Sequence, residues 1–153
     1  MHLRFDGYLG FPGGLVELDE TVIEGVEREV KEEMNIKSLQ LKRDHFVCQM
    51  KIPDKSKKKK FLRLFFFEKE VSEEEFMSLE AEATKAEHFG TEILGNIRVP
   101  LHRYRESDGF ARFLANQFAG TAKQQLLLVL YKGKIFSKDE IMNNYYLHHN
   151  KSP

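Results

Sequence analysis

Apolar side chains first recur at helical intervals between Thr21 and Asn35. Val22, Ile23, Val26, Val30 and Met34 repeat at three- and four-residue steps and so share one face. Thr21 and Glu24 have the spacing of a capping box, in which each side chain accepts the other's backbone N–H, and Asn35 tolerates the left-handed conformation that ends a helix. Upstream, residues 3 to 5 and 8 to 11 read as short strand pieces around Asp6-Gly7, and Phe11-Pro12-Gly13-Gly14 reads as a loop. Downstream, the β-prone stretches 39 to 52 and 61 to 71 flank the turn chemistry of Pro53-Asp54-Lys55-Ser56 and predict a hairpin. Ser72 and Glu75 repeat the capping-box spacing ahead of Phe76, Leu79 and Ala83, and residues 92 to 99 return to strand character before Pro100. Helices are predicted over 110–118, over 121–131, and after Ser137, which is spaced to cap with Glu140. Strands mixed with one early helix, followed by helices, predict an α/β or α+β layered fold.

Composition narrows this picture. A chain of 153 residues, 41% apolar and 31% charged, is expected to fold as one domain, and it shows neither an internal repeat nor a Pro/Gly/Ser linker. With 24 Lys+Arg against 24 Asp+Glu, bulk electrostatic coating of nucleic acid or membrane is excluded, so any polyanion has to be held locally. The lone cysteine, Cys48, fits a reducing compartment. The longest apolar runs fall far short of a membrane span and the N-terminus has no signal-peptide core, so a soluble intracellular protein with no membrane partner is expected.

The candidate chemistry lies on the first helix. Five residues after Gly14 comes Glu20, and seven more lead to Arg28-Glu29-Val30-Lys31-Glu32-Glu33-Met34-Asn35-Ile36. At about 100° per residue, Glu29, Glu32 and Glu33 share one sector bordering the apolar stripe. Like charges this close destabilise an isolated helix by a few tenths of a kcal/mol per pair, which a cation would offset. A hard divalent ion takes carboxylate and carbonyl oxygens together with substrate phosphates, and the glycine loop lets backbone approach such a site. The competing reading of three glutamates alone is a solvated acidic face.

The spacing resembles the Nudix box, Gly-x5-Glu-x7-Arg-Glu-apolar-x-Glu-Glu-x-Gly-apolar, with Asn35 in place of its last glycine. Average composition yields these six fixed and two apolar matches in about one chain in a million. The resemblance implies a Nudix α/β/α sandwich with a mixed sheet, and metal-dependent hydrolysis of a nucleoside diphosphate linked to another group. It implies Glu29, Glu32 and Glu33 as ligands of Mg²⁺ or Mn²⁺, one ion or several, and one of them helping to deprotonate the attacking water. The Gly13 carbonyl would be a further ligand, and Glu20 paired with Arg28 would fix the loop beside Gly14. Arg28 also stands at i,i+4 spacing from Glu32.

Residues 1–14, Phe89-Gly90-Thr91-Glu92-Ile93-Leu94-Gly95, Arg98-Val99-Pro100-Leu101, and Phe113-Leu114 through Ala122-Lys123-Gln124-Gln125-Leu126-Leu127 further resemble the small-nucleolar-RNA-decapping subfamily, also described as inosine diphosphatases. That resemblance implies a purine nucleotide or capped RNA as substrate, action in the nucleus, nucleolus or cytoplasm, Glu92 as a metal-site carboxylate outside the box, and Arg4, Phe11 and Gln125 near the nucleotide. As bare residues, Glu92 reads equally as exposed strand, Phe11 as core and Gln125 as surface helix. Some relatives are noncatalytic adaptors that have lost the box acids, which Glu29, Glu32 and Glu33 retain here. His88, His102, His148 and His149 have no zinc-like spacing with Cys48 and read as surface or hydrogen-bonded residues. Lys57, Lys58, Lys59 and Lys60 either touch RNA phosphates or cap a solvated turn, and no aromatic side chain interrupts them to offer stacking. With the box glycine already at position 14, the single Nudix domain expected over 1–153 reads as short of its N-terminal strand, including a histidine that contacts the nucleotide. An upstream segment or a second copy in a homodimer would then complete the sheet.

Overall fold

The computed structural model describes residues 1–54, 60–101, 103–104 and 108–149. Two short strands open the chain, β1 (His2–Arg4) and β2 (Leu9–Gly10), and they pair antiparallel. The other edge of β1 pairs antiparallel with β5 (Ile93–Asn96), giving a three-stranded sheet ordered β2-β1-β5. Helix α1 (Val22–Met34) begins at Thr21, whose hydroxyl accepts the Glu24 N–H while Glu24 accepts the Thr21 N–H. It ends at Asn35 in the left-handed region, φ 56° and ψ 24°, where the Asn35 amide donates to Glu82.

Strands β3 (Phe46–Pro53) and β4 (Phe61–Phe67) form the expected hairpin, with Met50 opposite Leu64 and Lys51 opposite Arg63. The first strand is shorter than predicted. The Leu41 N–H donates to Glu27 at 2.7 Å and residues 43–45 form one 3₁₀ turn, so residues 39–45 hold to α1 instead of extending the ladder. Helix α2 (Glu73–Ala83) starts at Ser72, which accepts the Glu75 N–H. A second hairpin, β6 (Arg103–Tyr104) with β7 (Asp108–Gly109), had no clear signal in the hydrophobic pattern.

The helix predicted over 110–118 is α3 (Phe110–Phe113), closed by single-turn bonds such as Asn116 N–H to the Phe113 carbonyl. Residues 117–119 leave it to run beside β2: the Leu9 N–H donates to Gln117 and the Ala119 N–H donates to Leu9. Long-range pairing overrides local helix propensity there. Helices α4 (Ala122–Lys132) and α5 (Lys138–His149) follow, the latter capped reciprocally by Ser137 and Glu140. Leu9, Phe110, Phe113, Leu114, Leu126 and Leu130 form the main core, so β2 and the glycine loop after it are anchored on α3 and α4. No helix among the described residues is long and apolar enough to cross a membrane.

Candidate active site

The box glutamates occupy two different settings along one turn of α1. Glu33 is buried, 7% exposed, and accepts the Gly13 N–H at 2.8 Å. Desolvation pushes its carboxyl up to about 7, and the charges of Glu29 and Glu92 add to that shift while the Gly13 N–H and His88 oppose it. Glu29 and Glu32 turn to Arg28, whose Nη1 donates to both at 2.9 and 3.1 Å. Arg28 meanwhile grips Glu20 with two bonds, Nε to Oε2 at 3.1 Å and Nη2 to Oε1 at 2.9 Å, and donates to the Leu15 carbonyl. Its pairing with Glu20 and its pairing with Glu32 therefore coexist, and Glu20 also accepts the Glu17 N–H. A single guanidinium thus ties the glycine loop to the helix.

Glycine suits the loop for two reasons, the first backbone strain and the second a crowding that the flexible Glu29 side chain could relieve by shifting. Gly13 has φ +130°, and a Cβ on Gly14 would overlap the Glu29 carboxylate. Glu92 stands one residue before β5, with its side chain 63% exposed, and lies close enough to raise the Glu33 carboxyl. The pairing of β1 with β5 brings Arg4 to the same place: Arg4 is opposite Ile93, and its charge is favoured first by the bond to Asp6 and then by Glu33 and Glu92.

Two histidines complete the surroundings, and neither stood out in the sequence as part of a site. His2 is 1% exposed and its Nδ1 lies 3.6 Å from Glu33; burial lowers its pKa to about 4, so the ring is neutral at pH 7. His88, expected to be an ordinary surface or hydrogen-bonded residue, sits within 4.0 Å of Glu92 with a buried Nδ1 that has no hydrogen-bond partner. Strand alternation was the signal available for His2, but three residues are too short a run to fix its facing.

Beyond the glycine loop lies a cleft of about 360 Å³ that brings Arg4, Phe11 and Gln125 together with Gly13 and Gly14. Phe11 meets Phe66 edge to face at 6.1 Å and also packs on the core, while the Gln125 amide donates to the Thr121 hydroxyl at 2.8 Å. Arg4 is held by Asp6 and is half-exposed. Apolar walls, a few polar side chains and a glycine-lined mouth suit a nucleotide whose phosphates reach toward α1.

The carboxylates gathered here suit a hard cation in their chemistry: Glu29, Glu32, Glu33 and Glu92 offer oxygen donors, Glu33 among them deeply desolvated beside like charges, with Cys48 outside the set. Among the described residues, no three acidic, His or Cys side chains are already drawn together into a grip on an ion. Glu29 and Glu32 would have to turn from Arg28 to form one. Of the lysine run, Lys60 is exposed at the end of the hairpin, and Lys57, Lys58 and Lys59 lie outside the described residues, as does His102.

A family model described as Nudt16-like, U8 snoRNA-decapping enzyme-like, matches residues 1–136. The chain is 37% identical over 145 residues to the U8 snoRNA-decapping enzyme of Xenopus laevis, covering 92% of this chain and 66% of that protein. It is 33% identical over 144 residues to the U8 snoRNA-decapping enzyme of Mus musculus, covering 88% of this chain and 69% of that one. The Tudor-interacting repair regulator protein of Gallus gallus is 33% identical over 132 residues, or 85% of this chain and 40% of the relative. The chain spans about two thirds of the length of the decapping relatives it matches. It belongs to the Nudt16-like family of the Nudix hydrolase superfamily.

Proposed function

We propose that the chain is a metal-dependent hydrolase that cuts a diphosphate linkage in capped RNA or in a purine nucleoside diphosphate of the inosine type. The observation that carries this reading is the continuity of the cleft with the box: Arg4, Phe11 and Gln125 line a nucleotide-sized space whose mouth is Gly13 and Gly14, and Gly13 is bonded directly to Glu33. Phe11 offers a ring to the base, Arg4 a charge to a phosphate and Gln125 an amide to a base edge or sugar. Water attacks one phosphorus, the bridging P–O bond breaks, and its oxygen leaves with the other phosphate. One of Glu29, Glu32 and Glu33 takes the proton of the water, and Glu92 completes the carboxylate set. These carboxylates with the Gly13 carbonyl would hold Mg²⁺ or Mn²⁺, which when bound would supply stabilisation of the developing phosphoryl charge and a more acidic water. Glu20 and Arg28 keep the loop in register with the helix.

The single Nudix domain assigned to 1–153 is part of the same reading. The decapping relatives are named for a small nucleolar RNA, which supports a nuclear or nucleolar site of action alongside the cytoplasm. Product analysis with Mn²⁺ against inosine diphosphate, guanosine diphosphate and a capped RNA tests the proposal; a monophosphate product from at least one substrate is expected. Absence of turnover together with retained RNA or protein binding would favour an adaptor, a reading supported by the likeness to a relative named for its interaction with a Tudor partner.

A further inference from the structure

The sequence shows lysines at the β3–β4 turn without any aromatic among them, yet the hairpin register supplies the missing rings. Cross-strand partners share a face, and so do residues two apart. The pairs Gln49–Phe65, Lys51–Arg63 and Pro53–Phe61 therefore lie on one side of the hairpin, while Cys48–Phe66, Met50–Leu64 and Ile52–Leu62 lie on the other. The second face is buried or half-buried throughout. On the first, Gln49, Lys51, Pro53, Phe61 and Arg63 are exposed, with Phe61 at 55%. Lys51 Nζ stands 4.2 Å over the Phe61 ring. At the far end Phe65 is joined by Phe46, 43% exposed, with ring centroids 6.5 Å apart.

This face has two properties that an ordinary solvated sheet lacks. Its cations Lys51 and Arg63 alternate with aromatic rings, and none of its six residues is acidic, in a chain whose positive and negative charges are equal overall. It also reaches the cleft, which meets β4 along Arg63 to Phe66, with Arg63 and Phe65 of this face and Leu64 and Phe66 of the other all lining the space. From Phe65 to Phe61 the strand advances about 13 Å, a length that suits a running chain better than a lone nucleotide. Rings with sequence-tolerant faces beside spaced cations are what a single-stranded nucleic acid binds.

We propose that the outer face of the β3–β4 hairpin is the track for the RNA body of a capped substrate, with the capped end in the cleft and the following nucleotides stacking toward Phe61. Lys51, Arg63 and Lys60 meet the phosphates, and Phe65 and Phe61 meet the bases. The inference rests on the hydrolase reading above for the polarity of the track, while the binding itself stands apart from turnover.

The test uses Phe61→Ser with Lys51→Gln, neither of which lines the cleft. Anisotropy of a labelled single-stranded RNA of about ten nucleotides, with chelator present, should show affinity falling about tenfold or more and a salt slope flattened by about 0.7 for a lost phosphate contact. Hydrolysis of inosine diphosphate should stay within a factor of two of the parent, whereas capped-RNA turnover at limiting substrate should fall with the affinity. RNA affinity and salt slope equal to the parent's would overturn the proposal, and so would a Phe61→Ser variant that only converts a dimer to a monomer in sedimentation. If the parent hydrolyses nothing but the RNA affinity still drops in the variant, the hydrolase reading fails and the track survives.

Discussion

Helix α1 and the β3–β4 hairpin border the same cleft, yet they present opposite charges in opposite environments. On α1 one box carboxylate is buried: Glu33 has lost its water, has carboxylates for neighbours, and is held partly protonated near neutral pH. On the hairpin the cations Lys51 and Arg63 remain hydrated on an exposed face. A site that has to concentrate field on one phosphorus benefits from desolvation, which strengthens every charge interaction inside it. A surface that has to receive and release a long anion needs accessible, screened charges whose contribution varies with salt. Arg28 illustrates the intermediate case. It is partly exposed, bonded to Glu20, Glu29 and Glu32 together, and its service is geometric, because it locks the loop to the helix.

The sharpest way to break this comparison is to neutralise the buried side. Glu33→Gln, and likewise Glu32→Gln, should lower turnover by at least about a hundredfold, since each removes an anionic ligand from the cation proposed to stabilise the developing phosphoryl charge. Folding should survive in both variants, as read by the melting transition. Turnover within a few-fold of the parent in both would remove the box from the chemistry.

The next largest effect is on stability, measured by calorimetry in chelator. Glu33 binds its proton more tightly in the fold, so it subtracts stability as pH rises from its ordinary 4.5 to about 7. His2 behaves oppositely: burial lowers it from 6.5 to about 4, so the unfolded chain binds that proton more tightly and stability increases with pH across that interval. The two slopes oppose, so Glu33 and His2 together contribute little net change to the metal-free parent between about pH 5 and pH 7. Glu33→Gln should unmask the histidine and gain on the order of 2 kcal/mol over that range. A variant profile that parallels the parent's would mean that Glu33 is not desolvated as described.

A smaller effect concerns the end of α1. Asn35→Ala places a Cβ-bearing residue without a local polar side chain at φ 56° and removes the bond to Glu82, so it should cost about 1 kcal/mol, or roughly 3 °C in Tm. Asn35→Gly, which relieves the backbone while losing the same bond, should stay within about half a kcal/mol of the parent. The smallest effect is at the hairpin end: replacing Lys57, Lys58, Lys59 and Lys60 by Ser should weaken capped-RNA binding a few-fold and flatten its salt slope, leaving inosine diphosphate hydrolysis unchanged. An unaltered salt slope would reduce the run to a solvated turn.

Much of this was legible in the order of residues because it depends on near neighbours. The α1 start at Thr21, its end at Asn35, the Ser137–Glu140 cap and the pairing of β3 with β4 all arise from contacts within a few residues or across one turn. The box spacing belongs to the same class, since helical periodicity alone places Glu29, Glu32 and Glu33 on one sector. The register of β3 against β4 was less accessible: the alternation predicts two faces, but only the pairing shows that Phe61 and Lys51 meet and that the aromatic and cationic side chains alternate outward.

What the tertiary structure decided is of another kind. No local rule distinguishes Glu33 from Glu32; Glu33 is buried because Gly13, His2 and the segment carrying His88 and Glu92 close over it, while Glu32 is left to Arg28. The truncation of the helix predicted over 110–118 has the same origin, since residues 117–119 satisfy their backbone against Leu9, more than a hundred residues away. The chain by itself determined which side chains sit on which face of each helix and strand, through periods of 3.6 and 2. Burial, and with it the protonation of Glu33 and His2 and the meeting of Arg4, Phe11 and Gln125 in one cleft, arose only from how β1, β5, α1 and α4 pack, because desolvation is a property of everything that surrounds a group rather than of its sequence neighbours.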